Sequence, residues 1–370
     1  MIKLSILLGL LTIGACGSGG DASPGDGPPP AGTQLETVYT GLEVPWAIAF
    51  GPDGEMYINE RPGRVRIAKD GKLDPKPIYV VPDLVTGSEI GLEGLVLHPN
   101  FKTNHFAYIA YGYRSDAVKV VRCKIDGTTM TADKVIIQDL PAAMNHAGCQ
   151  LSFGPDGKLY VSVGDATTRD IAQDLGSLGG KTLRLNDDGT VPSDNPFVDT
   201  AGARKEIYSY GHRNAQGIAW QPGTDFMWQT EHGPSGFDGP GGGDEINIVP
   251  RGQNMGWPLV HHDERKEGTV PPLKTYTPAQ APGACTFYNA DKIPDFKGNF
   301  FFCCLKGGGV MRLVVDKAKI VSEQKLHQDL GRCRAIAVGP DGALYFSTSN
   351  RDGRGTPQTG DDRIMRIVPG

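Results

Sequence analysis

His146 and Asp165 are the residues whose types and spacing best suit proton transfer. Leu159, Val161 and Val163 alternate with Tyr160 and Ser162 in the stretch between them, which is the period of a β-strand. Gly154-Pro155-Asp156-Gly157, just before, is a tight-turn signal in which Pro fixes φ and Gly closes the turn. The spacing predicts a hairpin turning at Pro155-Asp156, with Gly154 opposite Gly157 and His146 opposite Asp165. A bulge after the turn shifts that register by one residue. A carboxylate on one ring nitrogen fixes the imidazole tautomer and raises the basicity of the other, which suits a general base. The plain alternative is a solvated histidine and a strand-end aspartate that never touch.

The elements that position this pair recur down the chain. Phe50-Gly51-Pro52-Asp53-Gly54 and Val338-Gly339-Pro340-Asp341-Gly342 repeat the turn, each followed by an apolar strand. Weaker copies start near residues 98, 221 and 293, making six units at spacings of about 46 to 72 residues. No long stretch carries a helical period. The pattern predicts an all-β fold, a six-bladed β-propeller with four-stranded antiparallel blades, in one domain over about residues 33 to 370. The strand Arg363 to Val368 is expected to close the ring by pairing with the N-terminal end.

Counting from the turns collects further groups at one end. His146 and Arg213 stand eight residues before Gly154 and Gln221, and Glu89 nine before His98. Arg332 and Arg334 precede Gly339 by seven and five residues. Asp165, Gly233 and Lys306 follow their own turns. In a hairpin, the start of one strand neighbours the end of the next, so all of these belong at the ring face opposite the turns. Ligand sites sit at such channel mouths. Lys306, Arg213, Arg332 and Arg334 bring four positive charges, a receptor for a planar, multiply anionic ligand. Taken alone, Arg332-x-Arg334 also reads as an exposed strand face. Glu231-His232-Gly233-Pro234, followed by a Gly-rich run to Asp244 and Glu245, offers hard oxygen donors of the kind Ca²⁺ takes, or else a plain loop. His232 is read as exposed.

The chain has 370 residues and a formal net charge of -5, so no basic bias suggests nucleic acid. Gly at 51 and Pro at 28 agree with many short strands joined by turns. Met1-Ile2-Lys3, the short apolar run to Ile13, and Gly14-Ala15-Cys16 look like a bacterial lipoprotein signal over residues 1–15 with a lipid anchor on Cys16. An ordinary secretory signal is the alternative; both readings export the protein to the periplasm or beyond. Residues 16–32 read as a flexible tether. Six further cysteines (123, 149, 285, 303, 304 and 333) in an exported protein suggest disulfides, with 15 possible pairings.

Taken in order, several motifs resemble the soluble pyrroloquinoline quinone (PQQ)-dependent aldose sugar dehydrogenases. They are Val44-Pro45-Trp46, Gly91-Leu92-Glu93-Gly94-Leu95, the His146 hairpin with Gly164-Asp165, and Gly211-His212-Arg213-Asn214-Ala215-Gln216-Gly217. Glu231-His232-Gly233-Pro234, Asp244-Glu245-Ile246-Asn247, Asn254-Met255-Gly256-Trp257-Pro258 and Arg332-Cys333-Arg334 complete the set. The resemblance implies a six-bladed propeller that oxidises an aldose at C1 to a lactone and passes electrons to an acceptor the sequence does not identify. By that likeness His146 is the general base and Asp165 orients it. Arg213 and Asn214 would contact PQQ, and Lys306, Arg332 and Arg334 would hold its carboxylates. Gly233 and Pro234 would bind Ca²⁺ through main-chain carbonyls. Glu89 stands where the family commonly has Gln; a carboxylate there opposes an anionic cofactor unless it is protonated or paired with an arginine. Thr277 falls near an aromatic position of the glucose enzyme. A non-catalytic glycan- or protein-binding propeller and a Ca²⁺-dependent lactonase are the competing classes.

Overall fold

The structure is a computed structural model that describes residues 32–370. The signal, tether and Cys16 anchor expectations lie outside those residues. Six antiparallel sheets follow one another around a ring. The second, third, fourth and fifth each take four consecutive strands, for example Leu151–Phe153, Leu159–Val163, Lys181–Leu185 and Ile207–Tyr210 in blade 3. In blade 1 the outermost position is split between the two-residue strands Lys72–Leu73 and Tyr79–Val80, which both pair with Arg64–Lys69. Blade 6 closes the ring as expected, with Thr33–Tyr39 pairing antiparallel to Ile364–Pro369.

Six apolar clusters fill the spaces between consecutive blades. Each sheet is therefore buried on both faces, and its strands read as unbroken apolar runs. Phe300–Cys304 shows the consequence. Phe300, Phe302 and Cys304 pack towards blade 4, whereas Phe301 and Cys303 pack towards blade 6, because alternate residues point to opposite faces.

The same alternation overturns the disulfide expectation. All six cysteines of the described chain are buried free thiols. Adjacent Cys303 and Cys304 point into different inter-blade clusters, and Cys123 and Cys149 into two more.

The hairpin at residue 154 takes the slipped register. Leu151 pairs with Val161 and Phe153 with Leu159. Gly154 N–H donates to Lys158 O and Gly157 N–H to Gly154 O, with Gly157 at φ +73°, the left-handed bulge that glycine adopts without strain. The copies at residues 51 and 339 close in the same way. Every inner strand thus starts at one ring face and enters its turn at the other. Ala166, not Asp165, lies opposite the His146 backbone, donating to His146 O at 3.3 Å. The side chains of His146 and Asp165 nevertheless meet.

Candidate active site

The strand starts converge on a cavity of about 520 Å³ at the face opposite the turns. Its wall includes Glu89, His146, Arg213, Gly233, Pro234, Lys306, Arg332 and Arg334, drawn from blades 2 to 6. A cavity of about 580 Å³ lies on the turn side between blades 1 and 2, lined by Tyr57, Ile67, Leu73, Phe101 and Ile125 among others. Its lining also carries Asp53, Glu55, Asp74, three lysines and His105, of which Lys69 and Glu55 pair, but it holds no histidine–carboxylate couple.

His146 donates Nδ1–H to Asp165 Oδ1 at 2.7 Å. A carboxylate oxygen only accepts, so Nδ1 carries the proton and Nε2 is left to accept one. Asp165 is fully buried and saturated: Oδ1 also takes the Thr167 N–H at 2.8 Å, and Oδ2 takes the indole N–H of Trp257 at 2.8 Å. His146 itself is held at φ +58°, a left-handed conformation that costs a non-glycine residue about 1–2 kcal/mol. Glu89 Oε2 accepts its N–H at 2.8 Å, and its carbonyl lies so close to Gly164 that a Cβ there would sit 2.0 Å from it. Only glycine lets the two strand ends approach this closely. Phe237, two-thirds exposed, stands over the imidazole with ring centroids 6.0 Å apart.

The cations are not all free. Arg213 gives Nε to Asp238 at 2.7 Å, and its remaining nitrogens reach His232 O and Ser235 Oγ. Arg332 pairs with Asp352 at 2.7 Å. Arg334 has no acid beside it. Its guanidinium carbon lies 3.5 Å from the Trp46 ring centroid, Nη1 donates to Gln216, and Nε is buried without a partner. Burial lowers its pKa to about 9. Lys306 is exposed on the wall, with no side-chain partner among the described residues. Two of the four cations, Arg334 and Lys306, are therefore without an acidic partner among the described residues, whereas Arg213 and Arg332 are paired.

Glu89 meets the condition set by its charge. Its Oε1 pairs with Arg354 Nη1 at 3.1 Å. Burial works to raise its pKa, but protonated His232, the His146 N–H bond, protonated His146 and the Arg354 charge outweigh burial and lower it, to about 2 when both imidazoles carry a proton. Asn214 is buried behind Glu89, donating Nδ2 to Oε2 at 3.3 Å, and is not on the wall. Thr277 is not on the wall either; its hydroxyl accepts the Gly243 N–H at 3.0 Å.

His232, expected at the surface, is partly buried on the wall, with Nε2 3.0 Å from Pro282 O. Burial is the main influence on its pKa and depresses it. The acids flanking Gly233 and Pro234 serve the backbone. Asp244 accepts N–H bonds from Gly233, Gln280 and Ala281. Glu231 takes His212 Nδ1–H at 2.9 Å and the Arg213 N–H. His212–Glu231 repeats the catalytic-looking couple, but His212 is sealed in the core and opens to nothing.

Counting outward from turns missed Arg354, Trp257, Asp238 and Phe237, because all four lie on long connections outside the inner strands. Of the four, only Trp257 carries a local signal, its place in Asn254-Met255-Gly256-Trp257-Pro258.

The site thus sets an imidazole–carboxylate couple beside a cavity lined by cations at one mouth of a six-bladed propeller. The sequence matches the Glucose / Sorbosone dehydrogenase family over residues 42–364, and the chain belongs to that family of oxidoreductases. It is 35% identical over 347 residues to an aldose sugar dehydrogenase of Escherichia coli, covering 88% of this chain and 92% of the relative. It is 30% identical over 258 residues to quinoprotein glucose dehydrogenase B of Acinetobacter calcoaceticus, covering 61% and 52%. The PQQ-bound aldose sugar dehydrogenase of Streptomyces coelicolor superposes with a TM-score of 0.80 at 30% identity, over 92% of this chain and 99% of that one.

Proposed function

We propose that this protein oxidises aldose sugars at C1 to lactones with bound PQQ as the oxidant. The observation that carries the reading is His146, its Nδ1–H held by Asp165 and its Nε2 unengaged, on the wall of a cavity whose unpaired cations are Arg334 and Lys306. An orphaned buried guanidinium nitrogen suits a carboxylate of a planar polyanion, and Lys306, Arg332 and Arg334 would hold the cofactor's carboxylates. PQQ, when bound, supplies the acceptor for the two electrons that leave C1 as hydride. His146 Nε2 takes the C1 hydroxyl proton, and Asp165 stabilises the imidazolium that results. Arg213, already fixed by Asp238, keeps a guanidinium edge at the cavity. Asn214 acts through Glu89.

Gly233 and Pro234 would hold Ca²⁺ by main-chain oxygens, where it would supply Lewis-acid polarisation. Those donors are hard but neutral. Pro234 O already accepts the Gly242 N–H at 3.1 Å, and among the described residues no three His, Cys, Asp or Glu side chains cluster as metal ligands. The ion would depend on the cofactor's own anionic oxygens, so Ca²⁺ should bind tightly only together with PQQ. A lactonase needs free carboxylates at the axis; here Glu89 is paired and Asp244 is saturated.

Export and a lipid anchor on Cys16 complete the proposal, placing the enzyme in the bacterial envelope with an electron acceptor still to be identified. The test is titration of purified protein with PQQ, with and without Ca²⁺, followed by dye reduction with aldoses. His146→Ala should abolish turnover and still bind PQQ. Retained turnover would remove His146 from the role of base, and an intact fold that takes up no PQQ would favour a binding propeller.

A further inference from the structure

Arg354 lies on the connection between Leu344–Thr348 and Ile364–Pro369 of blade 6, yet its side chain ends two blades away. Nη1 pairs with Glu89 at 3.1 Å. Nη2 donates to Ser88 Oγ at 2.7 Å and to Asn145 Oδ1 at 2.8 Å. Ser88 also donates to Asn145 at 2.8 Å, so the guanidinium closes a ring of polar contacts over blade 1. Its own backbone is anchored by Asp352, which takes the Arg354 N–H at 2.9 Å and pairs with Arg332 at 2.7 Å. Arg61 braces the same region by donating to Ser88 O and Asp352 O.

Two consequences follow. Glu89 hands the constraint to His146, because its other oxygen accepts the His146 N–H. Asn145 is the residue immediately before the base, so Arg354 reaches the backbone of the left-handed His146 by two routes, through Glu89 and through Asn145. The second consequence is electrostatic. Glu89 lines the cavity, and an unpaired carboxylate there would repel an anionic ligand; the guanidinium cancels it at the wall.

We propose that Arg354 is a positioning residue for the His146 imidazole, acting through Glu89 and Asn145, and that it neutralises Glu89 so that an anionic cofactor can settle beside it. The second half rests on the PQQ reading above; the first does not. Roughly half of the side chain is exposed, so the guanidinium is not a buried structural strut.

The test compares Arg354→Gln, Asn145→Ala and the double variant Arg354→Gln/Glu89→Gln, all in the full domain. In ligand-free protein, the downfield Nδ1 proton resonance of His146 is assigned by its loss in His146→Ala. It should shift in both single variants. PQQ affinity should fall about tenfold in Arg354→Gln and recover when Glu89→Gln removes the stranded charge, while Asn145→Ala leaves it near parental. With cofactor saturating, kcat should fall roughly tenfold to a hundredfold in Arg354→Gln while KM for the sugar moves little. An unmoved resonance with unchanged kcat overturns the positioning role. A loss of PQQ affinity that Glu89→Gln fails to recover overturns the charge role. Should the unaltered protein bind no PQQ, the cofactor reading falls, and the resonance alone decides for or against the brace.

Discussion

Trp257 donates its indole N–H to Asp165 at 2.8 Å, on the carboxylate oxygen that His146 does not use. The aspartate is thereby fixed at both ends, and the imidazole plane with it. Hydrogen bonds to a charged group contribute about 1.5–3 kcal/mol. Trp257→Phe keeps the ring that Arg213 faces at 5.5 Å but removes the donor. It should lower kcat roughly tenfold or more, with little change in KM, in steady-state assays at saturating cofactor. An unchanged kcat would mean that Asp165 orients His146 without help.

Glu89 makes an acid-stability prediction. Its pKa is about 2 in the fold against 4.5 for the unperturbed group. A depressed carboxylate contributes stability that is present above the unfolded value and lost as pH falls through the folded one. The window is therefore about pH 4.5 down to 2. Glu89→Gln should be less stable than the parent at pH 7 and nearly equal to it at pH 2.5. Urea unfolding at several pH values reads the difference. Parallel curves would show that the positive groups and the His146 N–H around Glu89 do not stabilise its ionised form.

The ring and most of its mouth were legible because both rest on local rules. Gly-Pro-Asp-Gly turns at residues 51, 154 and 339 fix where each inner hairpin reverses, and counting from them places His146, Arg213 and Lys306 at a common end. What failed did so for physical reasons. The register moved by one residue because the turns close with a glycine bulge, and the His146–Asp165 contact survived because Asp165 lies beyond the paired strand, where the chain is free to turn back. The charge count failed because Asp238 and Asp352, which neutralise Arg213 and Arg332, lie on irregular connections with no period to read. Arg354 is 265 residues from Glu89, and no local pattern links them.

The cysteines give a direct check on the packing. All six thiols of the described chain are buried, and burial pushes those at Cys123 and Cys304 up to about 12 and that at Cys149 well above its usual value. A thiol-reactive chromophore should find none in native protein that starts at residue 32, and six after denaturation. A reductant should leave Tm unchanged. A Tm that drops on reduction would show that two of these thiols bridge.

Glu93 predicts the opposite pH response from Glu89, four residues away on the same approach to blade 2. Its carboxyl is fully buried, and neither oxygen has a hydrogen-bond partner. Burial, then the negative Glu89, hold its pKa well above 4.5 against the opposing influence of the Gly91 backbone, the Arg334 charge and the Cys149 backbone. The folded state keeps the proton that the unfolded chain releases above pH 4.5. Its stabilising effect is thus complete below that value and declines as pH rises towards the folded pKa, by roughly 1.4 kcal/mol per unit. Glu93→Gln removes the titration and keeps the shape. Its stability relative to the parent should therefore rise steadily from pH 4.5 upward in urea melts. The unpaired amide adds a cost that does not vary with pH, so the slope is the diagnostic and not the absolute value. If the two curves instead run parallel from pH 4 to 8, Glu93 is ionised in the fold.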